Sequence, residues 1–340
     1  MPRSSIRSTL LRPLAATAAA VAVAASLTAC GGDDAVANAS ADPKGTVTVG
    51  RSSNGAAKET EIKISEVKSI SAGLPKNVAD RGKLVIGLGG LPDGIAPLVY
   101  TGDDQKTATG AEPDLARMVA AVLGVETEVT NATWDNMFVG LDSGKVDVAF
   151  SGVTVTEERQ EKYDFVSYRK DNLAFEVPKK STWDFDGDYR NLAGKKIAVG
   201  AGTNQEKILL EWKRKLAEEG KSLTVKHFQN NNSLYLALAS GRIDAHFGPN
   251  PTVAYHVTQT RSTPDATRNA GTVSGAGESL QGLVGAVTKK GNPLVKPVAD
   301  ALNHLIENGQ YATWLGSWNL SNESVETAHV NPPGLPLASS

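Results

Sequence analysis

Cysteine is almost absent from this sequence of 340 residues, in which Cys30 is the only one. A single cysteine cannot form a disulfide within the chain. The five histidines of the sequence are His227, His246, His256, His304 and His329. Their spacing matches no set of metal ligands, and it offers no Cys/His pair for catalysis. The sequence therefore predicts no metal site, no cofactor and no catalytic residue.

Motifs for binding nucleotides and nucleic acids are also missing. The sequence has no Walker A loop and no Gly-x-Ser-x-Gly motif. Residues 87–94 are rich in glycine, but Pro92 stands in a long loop where a dinucleotide-binding fold needs the N-terminus of a helix. Lysine and arginine number 35 against 37 acidic residues, for a formal net charge of −2. This balance predicts no basic surface and no nucleic-acid partner.

The N-terminal 30 residues have the pattern of a targeting segment. An apolar run over residues 14–25 follows a positive head and is too short for a transmembrane helix. The head contains Arg3, Arg7 and Arg12. Residues 27–30 read Leu-Thr-Ala-Cys and resemble the lipobox of bacterial lipoproteins. We expect a signal peptide over residues 1–29 and acyl chains such as palmitate on Cys30, which would anchor the chain to the outer face of the bacterial cell membrane. The alternative is a chance cysteine in an ordinary secretory signal.

Two further segments lack a sustained apolar pattern. Residues 30–76 are rich in Gly, Ala, Ser, Asp and Lys and predict a flexible tether. Within them, residues 61–70 alternate weakly and could dock as an edge strand. Residues 321–340 contain three prolines, and we expect this tail to be disordered.

A ten-residue motif occurs twice, as LDSGKVDVAF at 141–150 and as LASGRIDAHF at 238–247, with five identical residues. Each copy follows a helix-like pattern, passes a glycine where a helix can end, and enters a short apolar strand. Any α/β domain contains this order, but KLVIG at 83–87 also matches KIAVG at 196–200. The pairing of both matches predicts two similar α/β lobes. A cleft between such lobes is a preferred place for a small ligand.

Periodicity predicts the same order of elements in both lobes. In the first lobe we expect strands at 83–88, 125–129 and 146–150, a helix with Pro113 in its first turn and Gly124 past its end, a helix at 134–141 and a short helix capped by Thr156. In the second lobe we expect strands at 196–200, 223–228 and 243–247, a helix with Ile208, Leu209 and Trp212 inward, and a helix at 233–238. Strands at 173–177 and 282–287 precede helices at about 294–308 and 311–318.

The chain is predicted to leave the first lobe near residue 178 and to return near residue 285. Two crossings of this kind make a hinge. The first lobe then comprises residues 77–178 and 286–320, and the second comprises residues 183–282.

The segment SGVTVTEER, residues 151–159, follows a strand end, where α/β lobes place their ligands. It offers hydroxyls on Ser151 and Thr154, backbone N–H groups after Gly152, and the guanidinium of Arg159. These groups can hold a carboxylate, because a guanidinium donates two hydrogen bonds to it while loop amides donate others. Alternatively, Arg159 pairs with neighbouring glutamates on a solvated helix face.

The second lobe has a comparable turn, GTNQE, at residues 202–206. It places Thr203, Asn204 and Gln205 where the N–H groups of a helix have no partner within the helix. Ordinary N-capping would explain Thr203 or Asn204, but not the crowding of polar groups at both strand ends.

The order of these motifs resembles the family 3 extracellular solute-binding proteins of ABC importers, which bind polar amino acids. The resemblance extends over roughly residues 77–320. It rests on KLVIG, GAEPDLARMVAAVLG, the segment 141–166, KKIAVGAGTNQE, SGRIDAHF and the segment 282–318. It implies an α/β fold of the periplasmic-binding-protein type II, in which two lobes form a clamp around a hinge with two crossings.

The resemblance also implies roles for individual residues. Arg159 corresponds to the arginine that holds the α-carboxylate of the ligand. The loop residues of the same site are Ser151, Gly152 and Thr154. The family's second binding turn corresponds to Gly202, Thr203, Asn204 and Gln205. Trp134 corresponds to an apolar or aromatic contact position.

The chain departs from the family two residues after the second copy of the repeat. The family commonly has an acid there that pairs with the ammonium group of the ligand, whereas this chain has Pro249 with Asn250 beside it. Asn250 can accept a hydrogen bond but carries no charge, so the identity of the ligand stays open. Ile95 and Leu98 stand where the family has aromatic residues. Trp134 either restores an aromatic wall or belongs to the core.

These observations predict a membrane-tethered receptor, expected to be a monomer, that closes on an amino acid or related small carboxylate and delivers it to an ABC permease. One alternative is an enzyme like cyclohexadienyl dehydratase, which resembles these receptors. It would need a proton donor or acceptor in the cleft, and Glu206 and His246 are the candidates. The other alternative is a sensor that reports to a membrane receptor, and sequence does not separate sensing from transport.

Overall fold

The structure, a computed structural model, describes residues 45–91, 94–277 and 280–337. The predicted signal peptide and Cys30 lie outside these residues. Within the described part of the chain, every helix is too short or too polar to span a membrane.

The described elements alternate between strands and helices through most of the chain. The strands are β1 (Thr46–Val49), β2 (Thr60–Lys63), β3 (Lys83–Gly89), β4 (Tyr100–Thr101), β5 (Ala108–Thr109), β6 (Glu126–Ala132), β7 (Val148–Ala149), β8 (Tyr163–Lys170), β9 (Asn172–Pro178), β10 (Lys196–Gly200), β11 (Thr224–Phe228), β12 (Ala245–Pro249), β13 (Thr267–Ser274) and β14 (Leu283–Lys289). The helices are α1 (Lys68–Ser71), α2 (Lys76–Arg81), α3 (Ala111–Leu123), α4 (Trp134–Ser143), α5 (Glu157–Gln160), α6 (Asn204–Glu218), α7 (Asn231–Ala239), α8 (Asn250–Thr260), α9 (Val295–Glu307) and α10 (Gln310–Ser317). Short 3-10 helices cover Tyr189–Leu192 and Ser321–Glu323.

Two five-stranded sheets with the same topology form the centres of two lobes. Their strand orders are β6-β3-β7-β14-β8 and β11-β10-β12-β9-β13. In each sheet the first three strands are parallel, and the next strand pairs antiparallel with its neighbours. The two copies of the repeat occupy equivalent places, because β7 follows α4 and β12 follows α7. The predicted pair of similar α/β lobes is confirmed.

The chain crosses between the lobes at Asp171 and again within residues 275–282. β8 pairs in the first sheet, whereas β9 pairs with β12 and β13 in the second. The prediction that the chain leaves the first lobe near residue 178 was therefore wrong, because apolar pattern identifies β9 as a strand without identifying its neighbours. The two crossings lie side by side: Asp171 N donates to Gly282 O at 2.8 Å, and Gly275 N donates to Asp171 O at 2.8 Å.

Local sequence explains the helices that flank the site. The apolar face of α3 is buried in the first-lobe core, and the helix ends at Gly124, whose φ of 69° favours glycine. Thr133 caps α4 by accepting a hydrogen bond from Asn136 N, and Thr203 caps α6 by accepting one from Glu206 N. These caps fix the points at which both helices begin, beside the cleft.

The predicted flexible tether is wrong from residue 45 onward. β1 and β2 form an antiparallel hairpin, and α1 and α2 follow it. Val47, Val49, Ile62 and Ile64 are buried in the first-lobe core. Residues 60–63 form a strand, as the weak alternation predicted, but its partner is β1 and not the edge of a large sheet. Three apolar side chains in two short strands, with Ile64 just after the second, are too weak a pattern to stand out from a polar segment.

The predicted disordered tail is also wrong, because residues 321–337 pack on the first lobe. Ser167 N donates to His329 O, and Asn331 N donates to Phe165 O, both at 2.9 Å. The tail thereby covers the open edge of β8, where unpaired backbone groups would otherwise face solvent. Backbone pairing of this kind needs no apolar periodicity, so the sequence pattern does not reveal it.

Candidate ligand-binding site between the lobes

A cavity of about 140 Å³ lies between the lobes, where the parallel strands of both sheets end. Its wall includes Gly90 and Ser151 after β3 and β7, and Ala201 and Gln229 after β10 and β11. A buried water needs about 10–15 Å³ by a comparable measure, so the space suits a molecule of about 9–14 non-hydrogen atoms. The cavity therefore has the size of a small metabolite.

Ser151, Gly152 and Thr154, which were predicted to contact the ligand, line the first-lobe wall. Ser151 Oγ donates to Gly89 O at 3.0 Å and accepts from Gly89 N at 2.9 Å, so it joins β7 to β3. Gly152 has a φ of 64°, which turns the chain at the strand end. Thr154 Oγ1 donates to Asp171 Oδ2 at 2.7 Å.

Arg159 lies at the mouth of the cavity, next to the wall and not in it. Thr156 Oγ1 accepts from Arg159 N at 3.1 Å and so caps α5, as predicted. The Arg159 guanidinium donates from Nη1 to Thr154 O at 2.8 Å and from Nη2 to Gly202 O at 3.3 Å. Burial lowers the pKa of Arg159 to about 10, so the side chain is still a cation at neutral pH.

The alternative in which Arg159 pairs with neighbouring glutamates is not found among the described ion pairs. Glu158 contacts Lys207 of the second lobe instead. Arg159 stacks on two aromatic rings, with its guanidinium carbon 5.5 Å from the centre of the Trp134 ring and 5.7 Å from that of Phe138.

Trp134 both lines the cavity and packs in the first lobe. Its ring meets Phe138 edge to face, with centroids 5.5 Å apart. Trp134 Nε1 donates to Gly202 O at 3.3 Å. Together with Arg159–Gly202 and Glu158–Lys207, this contact bridges the two lobes, so the structure describes a closed clamp.

Thr203, Asn204 and Gln205 line the second-lobe wall, and Gly202 lies at the mouth. Capping explains Thr203, because its hydroxyl accepts from Glu206 N and donates to Gly200 O at 2.8 Å. Asn204 is the first residue of α6 and does not cap it: its Nδ2 donates to Asp171 Oδ2 at 3.1 Å and to Gly275 O at 2.9 Å. Further amides of this wall are Gln229, Asn230 and Asn231.

Asn250 does not line the cavity, which corrects its selection as a candidate ligand contact. Pro249 is in the wall, whereas Asn250 lies in a separate recess beside Pro97 and Trp318. The two residues end β12 and begin α8, and successive residues at a strand end point to opposite faces.

Sequence reasoning missed two charged residues of the wall, Arg169 and Asp171. Arg169 is 2% exposed and forms ion pairs with Glu112, at 3.0 Å, and with Glu323 of the tail. In the sequence, both residues belong to a charged triplet at positions 169–171, between two apolar strand sequences, and this triplet could have indicated them as site residues. Glu323, one of the two acidic partners of Arg169, lies more than 150 positions away in the sequence, so no local pattern could identify this ion pair.

The two proton-transfer candidates, Glu206 and His246, are both held by other residues. Glu206 accepts from Gly202 N at 2.6 Å and contacts His227 Nε2 at 2.7 Å. His246 lines the wall, and its Nδ1 lies 3.3 Å from Glu176.

A larger groove of about 1090 Å³ lies on the outer flank of the second lobe, between α7 and α8. Its lining includes Tyr235, His256 and Thr267 and no residue of the first lobe. It is wide open, and a ligand there would not bridge the lobes. The cavity at the paired strand ends is therefore the stronger candidate site.

The protein has two similar α/β lobes, the chain crosses between them twice, and a cavity lies between them. These features define a type II periplasmic binding protein. The family model of bacterial extracellular solute-binding proteins, family 3, matches residues 89–321. The chain belongs to this family, a family of solute-binding proteins that includes those of amino-acid ABC transporters.

Relatives with known names agree with this assignment. The L-cystine-binding protein TcyJ of Escherichia coli K12 is 32% identical over 254 residues, which cover 74% of this chain and 88% of TcyJ. The arginine-binding protein ArgT of Corynebacterium glutamicum is 25% identical over 268 residues, 78% of this chain and 83% of ArgT. An ancestral arginine-binding protein with bound arginine matches in structure with a TM-score of 0.60 and 28% identity, covering 70% of this chain and 98% of that protein.

Proposed function

We propose that this protein is the receptor of an amino-acid ABC importer, tethered to the outer face of the membrane by acyl chains on Cys30. It encloses one amino acid between its lobes and delivers it to the permease. The observation that carries the proposal is the cavity walled by strand-end turns of both lobes, with the Arg159 cation at its mouth. The lipobox-like residues 27–30 support the anchor.

A ligand that touches both lobes favours the closed state, because only that state offers the ligand all of its contacts. A guanidinium has five N–H donors. Two described hydrogen bonds, to Thr154 O and Gly202 O, use Nη1 and Nη2 of Arg159 and leave donors for a ligand carboxylate. We infer that Arg159 binds the α-carboxylate, with Gly152 and Thr154 beside it and Trp134 covering the ligand. From the second lobe, Gly202, Thr203, Asn204 and Gln205 complete the contacts.

The charges of the wall favour an amino acid with an uncharged side chain. Asp171 is the one acidic residue in the described lining, and the opposite wall is rich in amides. Arginine carries two cationic groups and would leave one of them without a carboxylate. L-cystine, the ligand named for TcyJ, has two zwitterionic head groups joined by an uncharged disulfide linkage, so each of its ammonium groups is accompanied by a carboxylate of the ligand itself. We therefore expect L-cystine or another neutral polar amino acid to bind more tightly than arginine.

A catalytic role is less well supported. A similar structure is an ancestral amino acid-binding protein described as a precursor of cyclohexadienyl dehydratase, with 27% identity and a TM-score of 0.59. Glu206 does not line the cavity and is held by Gly202 N and His227, and His246 lines the wall with its Nδ1 on Glu176. We expect no turnover when the purified protein is incubated with prephenate or arogenate, and turnover would replace the receptor proposal with an enzyme.

The test of the receptor proposal is calorimetric titration of wild-type protein and Arg159→Ala with L-cystine, L-glutamine and L-arginine. The substitution should weaken binding by about 3 kcal/mol, because the carboxylate of the ligand would lose its charged partner in a desolvated site. Arg190→Ala is the control, since it removes an exposed guanidinium from the second lobe. Wild-type affinity in Arg159→Ala would contradict the assignment of the carboxylate site.

A further inference from the structure

We propose that Asp171 binds the ammonium group of the ligand and so takes the place of the acid that is missing at Pro249. The inference rests on the proposed function, since it concerns an amino acid in the same cavity. Asp171 lies at the first crossing between the lobes and is 4% exposed, and it lines the cavity.

Asp171 is unusual among the buried carboxylates of the described residues. The other six are Glu112, Asp114, Asp147, Asp164, Glu176 and Glu323. Each of those six has an ion pair with an arginine, a lysine or a histidine. Asp171 has none in the described part of the chain. Burial raises the pKa of Asp171, because a buried carboxylate without an ion pair is costly to ionise. A cation that enters the cavity would therefore stabilise its ionised form.

The hydrogen bonds of Asp171 leave one oxygen for that cation. Thr154 Oγ1 and Asn204 Nδ2 both donate to Oδ2. No described hydrogen bond reaches Oδ1. One donor belongs to the first lobe and the other to the second, so the carboxylate is held in place when the clamp is closed. Gly275 is also required here, because a side chain at that position would overlap Oδ2.

Thr154 connects the proposed ammonium site to the proposed carboxylate site. Its carbonyl oxygen accepts from Arg159, while its hydroxyl donates to Asp171. A cation and an anion thus lie on either side of one residue, in the arrangement that the two head groups of a zwitterionic amino acid require. Arg169 and Arg159 both favour the ionised form of Asp171, but neither forms an ion pair with it, and Arg169 is paired with Glu112 and Glu323.

The experiment compares two pairs of ligands that differ only in their amino groups. L-cystine is paired with 3,3′-dithiodipropionate, and L-glutamine with 4-carbamoylbutanoate. Wild-type protein and Asp171→Asn are titrated calorimetrically with all four. We expect Asp171→Asn to weaken binding of the preferred amino acid by at least about 30-fold, and to change binding of its deaminated analogue by less than about threefold.

Asp135→Asn is the matched control, because it removes the same charge from an exposed position at the cleft mouth, outside the cavity wall. Asp171→Ser, a smaller uncharged variant, replaces Asp171→Asn if the latter does not fold. Equal losses for an amino acid and its analogue, or no loss for either, would overturn the role of Asp171 while leaving the receptor proposal intact. Failure of the wild-type protein to bind L-cystine or any proteinogenic amino acid would overturn the receptor proposal, and this inference with it.

Discussion

Glu176 lies at the centre of a buried polar cluster in the second lobe. Its carboxylate contacts His246 and His256 and accepts from Thr267 Oγ1 at 2.6 Å. Tyr235 stacks on His256, with ring centres 3.5 Å apart. Burial alone would raise the pKa of Glu176, but the hydrogen bonds and charges of the two histidines outweigh burial and lower it to about 2. The cluster therefore stabilises the ionised carboxylate.

This lowered pKa predicts how stability depends on pH. The ordinary pKa is 4.5, so the stabilisation is fully present above that pH and is lost as the pH falls towards 2. A shift of this size corresponds to about 3 kcal/mol. Urea unfolding at pH 5 and pH 3 should show about 2 kcal/mol of that loss in wild-type protein and a smaller loss in Glu176→Gln. Glu307→Gln, at an exposed glutamate of α9, should keep the wild-type dependence. An unchanged dependence in Glu176→Gln would contradict the role of the cluster.

At the scale of elements, the C-terminal tail supports the segment that carries Arg159. Leu335 N donates to Val155 O, and Glu157 N donates to Leu335 O, both at 3.0 Å. The tail thus pairs with the chain on both sides of Thr156, the cap of α5. Gly334 allows this approach, because a Cβ there would overlap the Val155 carbonyl group.

A pair of glycine substitutions tests whether the tail packs this closely. Gly334→Ala should lower the free energy of unfolding by about 1–3 kcal/mol, because the backbone must move to admit a methyl group. Gly316→Ala in α10 adds the same methyl group where nothing lies within 4 Å, and it should raise that free energy by up to about 1 kcal/mol. Urea unfolding of both variants is the measurement. Equal effects of the two substitutions would show that the tail is not in close contact with Val155.

At the scale of the whole molecule, the two lobes are connected by two adjacent crossings and by contacts at the cleft mouth. Gly202 O accepts hydrogen bonds from both Trp134 and Arg159. The exposed ion pair of Glu158 with Lys207 adds little, since surface pairs contribute about 0–1 kcal/mol. Closure should therefore depend mainly on the ligand.

This dependence predicts a change in both shape and stability on binding. At a free ligand concentration of about 100 times Kd, binding should add about 2.7 kcal/mol to the stability of the folded state. L-cystine or the preferred neutral amino acid should therefore raise Tm, and small-angle X-ray scattering should show a smaller radius of gyration. Arg159→Ala should lose both effects at the same concentration. Binding without any decrease in the radius would mean that the ligand does not close the clamp.

Local sequence pattern was sufficient to predict much of the fold of this protein. The duplicated motif, the matching first strands and the glycines at helix ends identified two α/β lobes. The turns after β7 and β10, which were selected as candidate ligand contacts, lie at the cavity. These features depend on residues close together in the chain, where apolar periodicity and capping act directly.

Only the tertiary structure decided which distant groups meet. It placed β9 in the second sheet, packed the tail against β8, paired Arg169 with Glu112 and Glu323, and left Asp171 facing the cavity with no ion pair among the described residues. It also turned Asn250 away from the cavity. The physical reason is that the partner of a buried charge or of an open strand edge depends on chain topology, and no local periodicity encodes that partner.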